Sequence, residues 1–377
     1  MSAARIVHLR GLEELRAAQP AWDGLWRRSA TTFPTLRAEL IAQWVEHFAP
    51  RAKFMAVAVE ENGRYTAAMP LVPRKIARVF AGGVFPCNEW SSSGDLLLDC
   101  DIESGSAASQ TLDLLAAALA ELPISLLWLD ETLPESDRWK ALLAEFERRR
   151  LRTIVRPRCR VGRVAIGGDW RAYQSSWSRK HRQNMARRIR QLTHCGDVCL
   201  RLLRDFAPGE AAVALRRGWE IENLGWKGAA GSSVLTTPGM EAFFARQAEL
   251  LAQQKQLELA FLESAGRPIA FAYGQTAKGV FHSAKIGYDP SYADCSPGQL
   301  LRYFLLERFH HEQGRRAFDF LGPLNAAHAA WRPDTYTVAR LAASLGNRWG
   351  DLAVSAYARW RATRLPRRTV PPTEVPP

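Results

Sequence analysis

The chain has 377 residues, 47% of them hydrophobic, and 51 Lys+Arg against 38 Asp+Glu give a formal charge of +13. The length suggests two domains with real cores, and the charge favours an anionic partner: a nucleotide, a nucleic acid, an anionic sugar polymer or a membrane surface. No stretch reaches the roughly 18 apolar residues of a membrane span, no CxxC pair occurs among the cysteines, and MSAARIVHLRGLEEL lacks the apolar core of a signal peptide, so a cytoplasmic protein with reduced, mostly buried thiols and no metal is expected.

In chain order, TLRAELIAQWVEHFA reads as a helix, and FMAVAVEENGRYTAAMPLVP (54–73) reads as two apolar strands joined by an Asn-Gly turn. The apolar run TLDLLAAALAELPISLLWL is broken by Asp113, Glu121 and Pro123. A strand (ISLLWLDE) and a helix (DRWKALLAEFERRR) then close a first domain at 1–150. A strand with Arg156, Arg158 and Arg160 on one face and Val155, Cys159 and Val161 on the other begins the second, at 151–362; its charges fit a protected sheet edge. WRAYQSSWSRKHRQNMARRIRQL reads as one amphipathic helix. Ser178, Met185, Ile189 and Leu192 fall on its inner side and Arg179, Lys180, Arg187 and Arg190 on its outer side. The strand VCLRLL and a helix ending at Trp226-Lys227-Gly228 follow. Residues 257–276, LELAFLESAGRPIAFAYGQT, again read as strand, Gly-Arg turn and strand, again after a helix (GMEAFFARQAELLAQQ). This repetition predicts a duplicated α/β unit with mixed sheets. The proline-rich end, 363–377, reads as a disordered tail.

The segment SAKIGYDPSYADCSPGQLLRYFLLERF (283–309) carries the strongest functional signal. Ser296 is a suitable N-cap, Pro297 a suitable first helical residue, and Gln299 completes a capping box. Gly298 is the anomaly, since alanine there would be more stable by roughly 0.5–1 kcal/mol. Glycine permits close approach to a helix N-terminus, which attracts anions; the alternative is an ordinary capped helix. Downstream, Asp319 lies inside the apolar strand AFDFLG, where a charge is costly unless paired or used.

The motifs S-x-K-x-R (178–182), R-x-x-R-x-L (187–192), WKG (226–228), K-x-G-Y-D (285–289), SPG (296–298) and DFLG (319–322) occur in an order that resembles the cellulose-biosynthesis-associated (CelD-like) acyltransferases of the GNAT superfamily. These are similar in layout to the Fem transferases. The resemblance implies two tandem GNAT-like domains, with the better-preserved motifs in the C-terminal one and an N-terminal one open to degeneration. It implies acyl-coenzyme A as co-substrate, held by Lys285, Ser296, Gly298, Gln299 and Arg187. It implies direct attack of an acceptor amine or hydroxyl, the acceptor being a small molecule or a saccharide such as an exopolysaccharide precursor. Asp319 and His328 would be base and orienter, and Tyr288, Tyr303 or Tyr336 the acid. Trp226, Lys227 and Trp331 would line the acceptor site. For Asp319 and His328, structural roles are the rival readings. The competing functions are an aminoacyl-tRNA-dependent transferase of Fem type, in which tRNA replaces coenzyme A, and a non-enzymatic polyanion-binding module.

Overall fold

The computed structural model describes residues 4–102 and 106–363; of the tail expected at 363–377, residues 364–377 lie outside the described residues. The strands are β1 (Arg5–Leu9), β2 (Met55–Glu61), β3 (Arg64–Ile76), β4 (Phe80–Val84), β5 (Leu97–Leu98), β6 (Leu126–Thr132), β7 (Thr153–Ala165), β8 (Val198–Leu203), β9 (Leu257–Ser264), β10 (Arg267–Ala277), β11 (Val280–Tyr288), β12 (Ala317–Pro323) and β13 (Asp334–Ser344). The chain divides into two compact units, one of residues up to 31, 35–160 and 336 onward, the other of 32–34 and 161–335. Residues 336–362, assigned from sequence to the C-terminal domain, thus group with the first unit.

Each unit follows one plan. The first has strand order β1-β2-β3-β4-β6-β13, with β5 beside β3, and the second has β8-β9-β10-β11-β12-β7. In both, the first four strands are antiparallel, the fourth and fifth pair in parallel, and the last is antiparallel again. The two hairpins expected from sequence are present. Both turns place their two central residues at positive φ, Asn62 and Gly63 in one, Ala265 and Gly266 in the other, as a tight right-twisted hairpin requires. Just past each turn the register slips by one residue, at Thr66 and at Ile269. A helix precedes each hairpin, Ala38–Phe48 and Met240–Ala252.

The single helix expected over the basic stretch is two. Trp170–Ser176 stops, and Ser178 caps a new helix, Arg179–Thr193, by accepting from the His181 N–H. A serine hydroxyl satisfies the free amides of a helix start better than it serves an apolar face, so Ser178 does not join buried Met185 and Leu192. The cysteines are all free of disulfides, but only Cys295 is buried, and Cys100, Cys195 and Cys199 are exposed.

In the second unit, β10 alternates across the sheet. Phe271 and Tyr273 pack with Trp219 and Phe244 on one face; Ala270 and Ala272 join the core around helix Pro297–His310 on the other. That helix buries Leu300, Leu301, Leu305, Leu306 and Phe309. Parallel pairing of β11 with β12 covers only Val280–His282 against Ala317–Asp319. Beyond it β11 carries a bulge at Ala284, and β12 breaks register with β7 between Asp319 and Pro323. The two strands therefore part, and the helix that links them starts at the gap.

His282 marks the last paired position. Its ring is fully buried, stacks on Phe33 at 4.4 Å, and its Nε2 lies 3.1 Å from the Thr32 carbonyl, to which it donates. Burial above all pushes its pKa down to about 4, with Asp319 and Arg163 acting in opposite directions. An unfolded histidine titrates near 6.5, so between pH 6.5 and 4 the unfolded chain binds the extra proton. Stability should fall by roughly 3 kcal/mol from this group as pH drops through that window, and His282→Gln should flatten the pH dependence of the urea midpoint between pH 7 and 4.5 by about that amount.

Candidate active site

The gap between β11 and β12 is spanned by the first turns of helix 297–310. On the β11 side, a Cβ placed on Gly298 would meet only Ile286 Cδ1 and Tyr288 Cδ1, both at 3.7 Å. That is ordinary contact, so no packing within the chain requires glycine there. On the β12 side, Gln299 Oε1 accepts from Trp331 Nε1 at 3.0 Å and from Arg302 NH1 at 3.2 Å. The Arg302 guanidinium lies 4.8 Å from the Phe320 ring centre, and His328 stacks on the same ring at 4.8 Å.

The helix start differs from the expected capping box. Ser296 is left-handed (φ 50°) with no side-chain cap, and its own N–H donates to the Ala293 carbonyl at 2.8 Å. The Gln299 N–H donates to the Ser296 carbonyl at 2.9 Å, and the Gln299 side chain turns to Trp331 and Arg302 instead of back to Ser296. Of the three amides expected to grip phosphate, Ser296 and Gln299 are therefore committed within the chain, and Gly298 supplies the open one.

Lys285 does not face this helix. It sits opposite Tyr273 across the ladder, and its Nζ lies 5.6 Å from the Phe244 ring centre. The alternation of β11, reset by its bulge, puts Lys285 on the face of the Met240–Ala252 helix, away from Gly298. Arg187 is solvent-exposed on helix 179–193; its neighbour Arg188 is half-buried, and burial lowers its pKa.

Asp319 has no exposed surface. Its Oδ2 accepts from Arg163 Nε and NH2 at 2.9 Å, and its Oδ1 accepts from the Leu321 N–H at 2.9 Å. Leu321 is left-handed, φ 57°. These bonds engage both oxygens of Asp319 and make it a brace of the β12 bend.

His328 fits a chemical role better. It lies in the short helix Ala326–Ala329, whose start is capped when Asn325 accepts the His328 N–H at 2.8 Å. Its ring bonds the Pro323 carbonyl, and its Nδ1 has no hydrogen-bond partner. Burial, then the charge of Arg302, pulls its pKa down to about 4, so the imidazole is neutral near pH 7.

Trp331, expected to touch substrate, is wholly buried. Besides bonding Gln299, it accepts from Tyr173 OH at 2.6 Å through its carbonyl and meets Trp177 and His181 edge to face. It clamps the helix start. Tyr303 OH accepts from Gln174 Nε2 at 3.0 Å, and burial raises its pKa. Tyr288 is partly exposed at the end of β11, while Tyr336 falls in the first unit.

Trp226 is 69% exposed, so it covers no core edge. Lys227 Nζ donates to buried Glu222 Oε1 at 2.6 Å and reaches the Ile286 carbonyl at 3.4 Å; Glu222 Oε2 accepts from the Val234 N–H at 3.1 Å. Gly287 permits this, since a Cβ there would stand 2.5 Å from Glu222 Cα. The Trp-Lys-Gly loop is thereby pinned to the β11 wall. Sequence reading passed over Arg302, Arg163, His282 and Glu222. The available signal for Arg302 was an arginine inside the otherwise apolar run LLRYFLL.

Residues 179–331 match the model of a family described as acetyltransferase (GNAT) domain. No curated protein matches the sequence. Among solved structures, FemX is similar with a TM-score of 0.59 at 12% identity, covering 91% of this chain and 96% of that one. A conserved protein of unknown function from Bacteroides thetaiotaomicron has a TM-score of 0.53 at 12% identity, covering 86% and 97%. Two units of one strand plan give the chain a mixed α/β, tandem GNAT-like fold, and residues 179–331, the stretch similar to that family, fall within the second unit.

Proposed function

We propose that the second unit is an acyl-coenzyme A-dependent N- or O-acyltransferase. The observation that carries this reading is the helix N-terminus standing in the gap between β11 and β12, with a glycine at 298 that no packing within the chain requires. A pyrophosphate seated there would take the free Gly298 amide and the positive end of the helix dipole. The pantetheine would run along the unpaired stretch of β11 toward the bulge at Ala284. An acceptor amine or hydroxyl then attacks the thioester carbonyl directly, with its proton passing to a base and the thiolate leaving protonated. His328, neutral and with Nδ1 unpartnered, is our candidate base; Tyr288 at the mouth of the gap is the candidate acid. Trp226 and Lys227 are the candidate acceptor contacts.

The acceptor class rests on the motif order described above and is a sugar or exopolysaccharide precursor. A cytoplasmic setting suits this chemistry, since acyl-coenzyme A is made there; no helix among the described residues is long and apolar enough to cross a membrane. An aminoacyl-tRNA donor is the second reading, favoured by the exposed Arg179, Arg182, Arg187 and Arg190 on helix 179–193 and the net charge of +13.

Thermal shift separates the two donors. At ligand concentrations a hundred times Kd, coenzyme A or acetyl-coenzyme A should stabilise the protein by about 2.7 kcal/mol; no shift at millimolar ligand, with tRNA retained on a filter at physiological salt, would reverse the choice. Gly298→Ala should leave stability equal or raise it by about 0.5–1 kcal/mol while weakening coenzyme A binding about tenfold, a loss of about 1.4 kcal/mol. His328→Ala should lower kcat by about 10²–10⁴ with little change in KM for the acyl donor. Asp319→Asn should act on stability instead, costing about 3 kcal/mol in urea unfolding because Arg163 loses its partner.

A further inference from the structure

Arg302 is the least explained charge in the second unit. It is 7% exposed, sits on the second turn of helix 297–310, and faces the β12 wall of the gap. A guanidinium has five donors in a planar fork. Here one of them meets Gln299 Oε1, and Nε meets nothing. Among the described residues no carboxylate pairs with it. The Tyr173 hydroxyl near it is held neutral by burial, and desolvation lowers the Arg302 pKa to about 10. An unpaired buried charge is among the most costly features a fold can keep. Arg315, whose side chain is equally little exposed, shows the ordinary solution: it is paired with Glu258 Oε1 at 2.6 Å.

A second unsatisfied group, Nδ1 of His328, belongs to the imidazole that stacks on the same Phe320 ring. Gln299 is fixed by Trp331, so its carbonyl oxygen holds one end of the guanidinium fork in place. The result is a preset cation and a neutral imidazole that share one aromatic ring at the end of a parted strand pair.

We propose that Arg302 is the docking point for an oxyanion of the substrate, either a carboxylate of the acceptor or a phosphoryl group of the donor, and that His328 lies alongside that oxyanion. Bidentate pairing with a planar or tetrahedral oxyanion would fill the fork's open edge. Burial is the larger cause of the low His328 pKa and would remain, but the anion would cancel the second, the charge of Arg302. Among the described residues no other charged side chain acts on His328; its ring bonds the Pro323 carbonyl, and the Tyr173 hydroxyl stays neutral. Binding the anion would therefore make the imidazole a stronger base when substrate is present. The inference stands on helix 297–310 and β12 alone and does not require acyl-coenzyme A as donor.

The test is thermal unfolding of the full chain at pH 7.5 and constant ionic strength, in chloride, in succinate and in pyrophosphate, for wild type, Arg302→Met and Arg302→Lys. Wild type should gain Tm in succinate if the site takes a carboxylate, and in pyrophosphate if it takes a phosphoryl group. Arg302→Met should match or exceed wild-type Tm in chloride, since a costly unpaired charge is gone, and should lose the anion response; Arg302→Lys should keep the fold and part of the response. The proposal is overturned if neither anion moves wild type, if Arg302→Met keeps the full response, or if both variants lose Tm in chloride as a structural arginine would. A response to succinate or pyrophosphate without one to coenzyme A would sink the donor assignment and leave this site standing.

Discussion

The fold of the second unit depends on where β11 and β12 cease to pair. Parallel strands hold together through slanted hydrogen bonds, and this pair keeps them only over Val280–His282 against Ala317–Asp319. What stops the ladder is the Asp319 carboxylate. It accepts the Leu321 amide, forcing a left-handed residue into β12, and it is held in place by Arg163 of β7. The buried charge that looked costly in an apolar strand is thus offset twice, by an ion pair and by a turn. The groups proposed to handle the oxyanion and the donor gather where the strands part: the half-buried helix start, the bulged strand, His328 and Arg302.

Much of this was legible in the residues. The Asn-Gly and Ala-Gly turns, the strand carrying Asp319, and a helix opening at Pro297 all follow from local preferences, because turn and cap chemistry acts over a few residues. The placement of Lys285 was not legible. A one-residue bulge at Ala284 exchanges the faces of every side chain after it, and nothing in SAKIGY announces the slip. Trp331 was placed at the acceptor site by the family resemblance; its burial depends on Tyr173, Trp177 and Gln299, which lie far off in sequence. Arg302 was missed for the converse reason, since one arginine in a helix normally points to water.

The two units have diverged at the place where the second does its proposed work. In the first, β4 pairs with β3 in unbroken register, and the parallel contact of β4 with β6 spans only Gly82 and Gly83. The fourth strand there has no bulge to free its backbone, whereas both hairpins keep the slip after the turn. A feature kept in both copies serves the architecture; one kept in a single copy is the better guide to chemistry.

The first unit takes its final strand, β13, from the chain that follows the second unit, with Leu341 to Ser344 laddered on Leu126 to Leu129. A ribosome must therefore deliver more than 340 residues before the earlier unit has its full sheet, whereas the later unit is complete in sequence by residue 335. A nascent chain that still lacks β13 would present β6 with an open edge, a template for pairing with another chain.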